Sequence, residues 1–322
     1  MNRTRTLAAC ILGSAVVFLD GTVVNVALPS ISKDLGGGLS AQQWIVEAYL
    51  LTLGSLILVG GSLGDLLGRR RVFAIGVSGF GFFSLCCAAA PTSTILIIAR
   101  GLQGIAGALL VPATLALIVD TFAERERGAA IGTWTAYTGV ATVIGPLGGG
   151  ALLEVASWRW IFAINALPVL VTLYLLRSAP AGHRRKDTPI DWVGAALCTL
   201  GLGGPVFALT EEPNRGWGDP LVFLPLVIGI ALLATFVVWE QRTREPMLPF
   251  TLFRSRNFTI GNLSTFTLYA GLNIAILYLV LYLQQVGGYS PLAAGVATLP
   301  MTLEMFALSR RFGALSDRIG PR

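Results

Sequence analysis

The chain has 322 residues, of which 54% are hydrophobic and only 12% are charged. A soluble globular domain carries roughly 25% charged residues, so the composition excludes an ordinary soluble protein. The formal net charge of +6 does not indicate a nucleic-acid-binding protein, because the basic residues are spread over six separate loops.

Long apolar runs recur along the whole chain and predict transmembrane helices. A run of roughly 18 or more apolar residues can cross the bilayer as a helix, and such a run is far too long for a barrel strand. We predict ten spans, which are, in chain order, 7–30, 44–64, 72–91, 94–121, 129–151, 158–177, 191–210, 221–239, 258–284 and 291–309.

The basic residues of the connecting loops predict how these spans are oriented. Every second connector is rich in arginine or lysine, whereas the others hold only Lys33, Arg159 and Arg215. Since basic loops stay in the cytoplasm, we expect a multi-pass protein of the inner cell membrane with both termini cytoplasmic. The basic connectors contain Arg3, Arg5, Arg69, Arg70, Arg71, Arg125, Arg127, Arg177, Arg184, Arg185, Lys186, Arg242, Arg244, Arg254, Arg256, Arg310, Arg311, Arg318 and Arg322.

The N-terminus predicts an uncleaved first span. Arg3 and Arg5 before an apolar stretch resemble a signal peptide, and Leu7 to Cys10 resembles a lipoprotein cleavage box. The apolar core of a signal precedes its cleavage site, however, and here it follows Cys10. All four cysteines lie within predicted spans, so neither a disulfide framework nor a metal site is indicated, and we expect no cofactor.

The loop after the second span carries the most specific motif. It reads G-x-L-x-D-x-x-G-R-R-R and predicts a gate, because glycines allow close helix approach and a tight turn. Its Asp65 can meet an arginine or a helix N-terminus and latch the cytoplasmic side shut. A basic loop that only sets the topology is the alternative, which explains the arginines but not the Asp and Gly spacing. The motif comprises Gly61, Gly64, Asp65, Gly68, Arg69, Arg70 and Arg71.

The same pattern returns about 250 residues later, around Asp317, and indicates two related halves. We predict a six-helix N-terminal bundle over 1–180 and two inserted transmembrane helices with cytoplasmic loops over 181–257. The first two helices of a C-terminal bundle follow over 258–322. Two related halves are typical of many transporters, and on this interpretation the second bundle is incomplete and the chain is truncated.

Four ionisable residues embedded in apolar spans are candidates for a function. Arg100 in the fourth span needs a partner, because an unpaired charge in hydrocarbon costs several kcal/mol. Asp20 in the first span and Glu47 in the second are the candidate partners, and buried carboxylates of this kind can exchange protons near neutral pH. The alternatives are a structural hydrogen bond for Asp20 and an interfacial position beside Trp44 for Glu47. A further embedded acid, Glu304, has no charge partner in view.

The fifth span holds several glycines and a proline, which predict a kinked and closely packed helix, with a merely flexible helix as the alternative. The motif residues are Gly145, Pro146 and Gly149. We also predict a substrate cavity, although core packing is the alternative role for its two aromatic residues. The candidate cavity residues are Asn25, Gln103, Trp134 and Tyr137.

Together these motifs resemble those of the major facilitator superfamily. The loop 61–71 is similar to its signature motif, Arg100 to its fourth-span arginine, and Gly145-Pro146 to its antiporter motif. Segments 19–29 and 158–168 resemble motifs of its fourteen-span drug:proton antiporters (EmrB/QacA type). The resemblance implies an all-α major facilitator fold, a proton-coupling role for Arg100, and four more helices after the end of this chain.

The resemblance further implies proton-coupled efflux of amphipathic or cationic small molecules by a secondary antiporter. The partners would be this substrate, protons and the lipid bilayer, with no nucleic acid. One alternative is a non-transporting fragment or membrane sensor. A second is an integral-membrane enzyme, against which a single histidine and four scattered cysteines argue, because they leave little for haem or zinc chemistry.

Overall fold

The computed structural model describes residues 3–177, 179, 191–243, 246–301, 304 and 308, and its regular structure is entirely helical over them. A short 3-10 helix, Phe250–Arg254, precedes α10. The helices are α1 (Arg3–Leu35), α2 (Gly38–Leu67), α3 (Arg69–Ala88), α4 (Ser93–Thr121), α5 (Glu124–Val155), α6 (Arg159–Ala163), α7 (Ala166–Leu176), α8 (Trp192–Arg215), α9 (Pro220–Arg242), α10 (Arg256–Gln285) and α11, described over Pro291–Met301.

Nine helical segments of the described residues are long and apolar enough to cross a membrane, with α6 and α7 counted together. They coincide with the first nine predicted spans, which confirms an all-α polytopic membrane protein. The tenth predicted span begins as a helix at Pro291 and is described through Met301. The second copy of the loop motif, around Asp317, lies outside the described residues.

The sixth predicted span is one continuous helix in the prediction but two helices, α6 and α7, in the structure. The break has a local cause, because Pro168 has no N–H with which to bond the carbonyl of Ile164. The backbone instead makes shorter-range bonds, from Asn165 N to Phe162 O at 3.2 Å and from Leu167 N to Ile164 O at 3.3 Å. The break leaves Asn165 between the two helices.

Tight glycine turns join the first helices. Gly36 and Gly37, with φ of 75° and 97°, connect α1 to α2, and Gly68, with φ of 97°, connects α2 to α3. L side chains rarely adopt such backbone angles, so glycine is required at these turns. We call the two ends of the helix bundle the Gly37 side and the Gly68 side after these residues.

Helices α1 to α7 pack around two apolar clusters. The cluster nearer the Gly68 side includes Phe73, Phe80 and Leu117, and the one nearer the Gly37 side includes Leu28 and Ile45. Along α1 the first cluster ends at Val17 and the second begins at Val23, so a polar residue between them lies near the middle of the bundle.

Helices α8 and α9 form a close pair that packs on α2. A Cβ added to Gly204 would lie 2.2 Å from the carbonyl oxygen of Pro225, and one added to Gly229 would lie 2.4 Å from Pro205. Small residues therefore let these two backbones approach, as is typical of membrane helices. Helix α10 contacts α1 near the Gly37 side, where Gln284 donates to Val26 O at 3.1 Å, and its side chains over 260–271 are exposed.

Candidate functional site: a buried ion pair

Asp20 of α1 and Arg100 of α4 form an ion pair at the centre of the bundle. Asp20 is 0% exposed and Arg100 is 1% exposed, so the pair is fully enclosed by protein. The structure thus brings Arg100 to one of its two predicted partners. Removing either charge would leave the other buried and uncompensated, which is costly in a low-dielectric interior.

Hydrogen-bond donors saturate the Asp20 carboxylate. Its Oδ2 accepts from Nη1 of Arg100, and its Oδ1 accepts from Nε2 of Gln103 at 3.2 Å and from Nδ2 of Asn165 at 3.0 Å. Arg100 also donates to Oε1 of Gln103 at 2.8 Å and, through Nε, to the carbonyl of Ile45 at 3.0 Å. Since every group around Asp20 donates a hydrogen, this geometry fits an ionised carboxylate.

Aromatic rings enclose the guanidinium. The Cζ of Arg100 lies 4.2 Å from the ring centroid of Tyr49 and 5.7 Å from that of Phe162. Such positions are attractive for a cation, because ring faces are electronegative. The Tyr49 hydroxyl is itself fixed, since it donates to Val17 O at 3.1 Å. The rings therefore stabilise the cation and close the site.

A second layer of polar residues holds the amides in place, and the sequence did not reveal it. Ser84 accepts from Nδ2 of Asn165 at 3.0 Å and donates to Phe162 O at 2.8 Å, while the Cys87 thiol donates to Gln103 Oε1 at 3.6 Å. The available signal was Asn165, a polar residue in an apolar span three positions before a proline. Its contact with Asp20 spans 145 residues and has no local signature.

Glu47, the other predicted partner, does not meet Arg100. Its Oε2 accepts from the hydroxyl of Thr210 on α8 at 2.6 Å, and Glu47 is half-buried. Helix geometry gives the reason, because Ile45 and Tyr49 face Arg100 and Glu47, two positions from each, is rotated by about 200° from both. Glu47 therefore lies at the α2–α8 contact.

The gate motif forms a charged cluster on the Gly68 side. Arg69 bonds Asp65 at 3.1 Å and Asp120, at the end of α4, at 2.6 Å. Arg70 donates to the carbonyl of Arg177 at 3.2 Å, whereas Arg71 is exposed. The sequence predicted an arginine partner for Asp65 but missed Asp120.

Of the three glycines in this motif, Gly68 has the expected role, whereas Gly61 and Gly64 do not lie at a close helix contact. Gly68 forms the predicted tight turn. Close helix approach, expected at Gly61 and Gly64, occurs instead at Gly60, where an added Cβ would lie 2.0 Å from the carbonyl oxygen of Ala108. An added Cβ on Gly61 would lie 3.8 Å from Pro112, and one on Gly64 would meet nothing within 4 Å. The contacting face of α2 is one residue away from the predicted one.

The glycine motif of α5 lies between α1 and α11. A Cβ added to Gly145 would lie 2.4 Å from Oγ1 of Thr22, and one added to Gly149 would lie 2.2 Å from Val23. On the α11 side, a Cβ added to Gly295 would lie 2.6 Å from the carbonyl oxygen of Pro146. Helix α5 runs without interruption through Pro146, and its predicted close packing is present on two faces.

The four candidate cavity residues do not form one site. Gln103 is 0% exposed and belongs to the ion-pair network. Trp134 packs against the apolar cluster, with its ring 6.5 Å from that of Phe18, and Tyr137 is 60% exposed. Asn25 is half-buried, and its Oδ1 has no hydrogen-bond partner among the described residues.

A separate cavity of about 290 Å³ on the Gly68 side is lined by Leu7, Phe122, Glu126, Ala129, Ala130 and Thr133.

Residues 10–322 match the family model of the Major Facilitator Superfamily. The puromycin resistance protein pur8 of Streptomyces alboniger is 41% identical, and the match covers 98% of this chain and 63% of that protein. The multidrug resistance protein Stp of Mycobacterium tuberculosis is 36% identical over 100% of this chain and 61% of its own length. The chain thus spans about 60% of the length of these relatives.

The solved structures show the same fold. The crystal structure of the peptide transporter POT in complex with sulfate matches with a TM-score of 0.70, covering 98% of this chain and 69% of that one, at 15% sequence identity. Identity this low supports the fold and nothing finer. The sequence match and the helix arrangement agree, and the chain belongs to the Major Facilitator Superfamily, a family of transporters and not of enzymes.

Proposed function

We propose that this protein exports amphipathic or cationic small molecules in exchange for protons, with Asp20 as the proton-binding residue. The observation that carries the proposal is the Asp20–Arg100 ion pair, fully buried in the middle of a membrane helix bundle. An ionisable pair in that position is expensive and is retained for a function rather than for stability.

The network suggests how a proton would drive a rearrangement. When Asp20 binds a proton, its negative charge disappears and Arg100 becomes a buried, unpaired cation. Every acceptor of Arg100 among the described residues is then neutral, including Gln103 Oε1 and the carbonyl of Ile45. The free-energy cost of that state favours a different arrangement of α1 and α4, so proton binding shifts the conformational equilibrium.

Two further features support alternating access. Arg69 bonds two carboxylates on the Gly68 side, and these contacts would hold that side in one arrangement. The α5 glycines and α11 make backbone-level contact nearer the Gly37 side. We propose that the Gly68 side is cytoplasmic, because the basic connectors lie there, and that α8 and α9 are the inserted pair between two bundles.

The substrate class rests on the relatives. One is named for puromycin resistance and another for multidrug resistance. We extend this to amphipathic or cationic drugs for the present protein, which spans only about 60% of the length of those relatives.

The test compares two carboxylates of the same helix. Asp20→Asn removes the buried charge, whereas Asp34→Asn removes an exposed one that pairs with Arg159 at 2.6 Å. Both would be made in the 322-residue chain and in a form extended by four further helices from a relative, in a pump-deficient host. We expect the extended form with Asp34→Asn to retain proton-driven dye efflux and the form with Asp20→Asn to lose it, at equal membrane levels. Unchanged efflux by the Asp20→Asn variant would refute the proposal.

A further inference from the structure

Two acidic residues, the half-buried Asp191 and the buried Glu240, lie together at the Gly68 side of α8 and α9, remote from the ion pair. Asp191 precedes α8, and its Oδ1 accepts from Gly194 N at 2.8 Å and its two oxygens from the indole N–H of Trp239 at 2.9 and 3.0 Å. Glu240, near the end of α9, accepts from Leu248 N at 2.8 Å through Oε2. Both Asp191 oxygens therefore already accept a hydrogen bond, whereas Glu240 Oε1 has no donor among the described residues.

Glu240 Oε1 and Asp191 Oδ2 lie close to each other. The point where a Cβ on Gly194 would sit is 2.5 Å from Asp191 Oδ2 and 2.8 Å from Glu240 Oε1. Only 2% of Glu240 is exposed, and its Oε1 has no donor among the described residues. Two carboxylate oxygens placed close together repel unless a hydrogen lies between them.

No described basic side chain neutralises the cluster. Helix α8 contributes Asp191 and the Cys198 thiol as the titratable groups that face Glu240. The segment 246–249 contributes backbone N–H groups, and Arg242, two positions along α9, is exposed. Within the described part of the chain, a counter-charge therefore does not resolve the contact.

We propose that Asp191 and Glu240 form a proton-binding site that holds one proton between Glu240 Oε1 and Asp191 Oδ2. Glu240 carries the proton and donates it in a hydrogen bond to Asp191. Asp191 is the acceptor in this bond, because its oxygens already accept N–H bonds from Trp239 and from Gly194 in the first turn of α8. This site is independent of Asp20 and of the proposed drug:proton exchange.

The bound proton keeps residues 246–249 attached to α9 through Glu240. The other Glu240 oxygen holds Leu248 N in the short segment that links α9 to the 3-10 helix and α10. Loss of the proton places two negative charges in contact, so Glu240 moves away from Asp191 and releases Leu248. The pH at the Gly68 side thus sets how firmly residues 246–249 are held against α9.

The first measurement is infrared spectroscopy of the purified 322-residue chain in lipid nanodiscs, titrated with base. We expect a protonated-carboxyl C=O band at neutral pH that disappears in Glu240→Gln and in Asp191→Asn but persists in Glu124→Gln, a matched change at an exposed glutamate. A spectrum in which the band is absent from the unmodified chain, or persists in Glu240→Gln, would overturn the proposal.

The second measurement is hydrogen exchange of the 246–249 peptide, corrected for the intrinsic pH dependence of exchange. Protection should fall as the pH rises in the unmodified chain and in Glu124→Gln. It should stay high in Glu240→Gln, because the amide can donate to Asp191 and accept from Leu248 without a titrating proton. The same fall in protection in Glu240→Gln would show that the attachment of residues 246–249 to α9 does not depend on this proton. A fall that added Ca²⁺ or Mg²⁺ reverses would show instead that the two carboxylates bind a metal ion.

Discussion

Asn165 donates a hydrogen bond from Nδ2 to Oδ1 of Asp20 at 3.0 Å. The same amide group donates to Ser84, so Asn165 links the carboxylate of α1 to α3 from the break between α6 and α7. The break between α6 and α7 thus coincides with the residue whose side chain reaches the ion pair.

Replacement of Asn165 by leucine should destabilise the bundle and impair efflux. The change leaves Ser84 without its donor and removes one of three donors from Asp20, and a lost buried partner costs about 1–3 kcal/mol. Thermal unfolding of the purified chain measures the loss. The matched control is Asn262→Leu, on the exposed face of α10, which should unfold at the unmodified temperature. Equal unfolding temperatures for both variants would contradict this role of Asn165.

Gln103 is oriented by its two neighbours. Arg100 can only donate, so it must face Oε1, and ionised Asp20 can only accept, so it must face Nε2. When a proton binds Oδ1 of Asp20, that oxygen can donate to Oε1 of Gln103, which Arg100 also uses as an acceptor, so the two compete for it. Gln103 therefore connects the proton on Asp20 to the position of Arg100.

Gln103→Leu should break this connection while leaving insertion intact. In an extended, transport-competent form, we expect proton-driven dye efflux to fall to the level of the empty host. Binding of the dye to the purified protein should remain. Gln43→Leu, which removes a surface bond to Tyr278, should keep both properties. Full efflux by the Gln103→Leu variant would show that the ion pair works without the amide.

Two adjacent glycines of α2 should respond differently to alanine. Gly60→Ala places a methyl group 2.0 Å from the carbonyl oxygen of Ala108, so α2 and α4 must separate, whereas Gly61→Ala has 3.8 Å of space. Overpacking of this kind costs about 1–3 kcal/mol. We expect Gly60→Ala to lower the unfolding temperature and the amount of folded chain in the membrane, and Gly61→Ala to leave both unchanged. A larger loss of stability from Gly61→Ala than from Gly60→Ala would contradict the position of Gly60 at the α2–α4 contact.

The sequence predicted the fold far better than the contacts of the site. Hydropathy runs located nine spans because burial in lipid constrains every residue of a helix. The pairing of Arg100 with Asp20 also followed from the cost of a lone charge. Which face of α2 carries Glu47 or Gly60 depends on helix rotation, and short motifs do not fix that angle. Asp120 and Asn165 reach their partners across 51 and 145 residues, so one sequence alone offers no signal for them.

Arg69 and Arg71 provide the last test, because only one of these neighbouring arginines is tied to the bundle. Arg69 is bonded to Asp65, Asp120 and the carbonyl of Ala116, whereas Arg71 is exposed. These contacts join the α2–α3 turn to the end of α4. Partial exposure weakens each ion pair, so we expect the stability effect of Arg69→Ala to be modest, about 1 kcal/mol.

The larger effect should be on the conformation of the Gly68 side. With Arg69→Ala, hydrogen exchange in the peptide around Gly68 should rise, and Asp120→Asn should cause the same rise. If the Arg69–Asp120 pair is what holds the turn, the two changes together should add little, because both remove that pair. Arg71→Ala should leave the exchange unchanged. Additive effects of Arg69→Ala and Asp120→Asn, or an equal rise with Arg71→Ala, would show that the Arg69–Asp120 pair does not hold this turn.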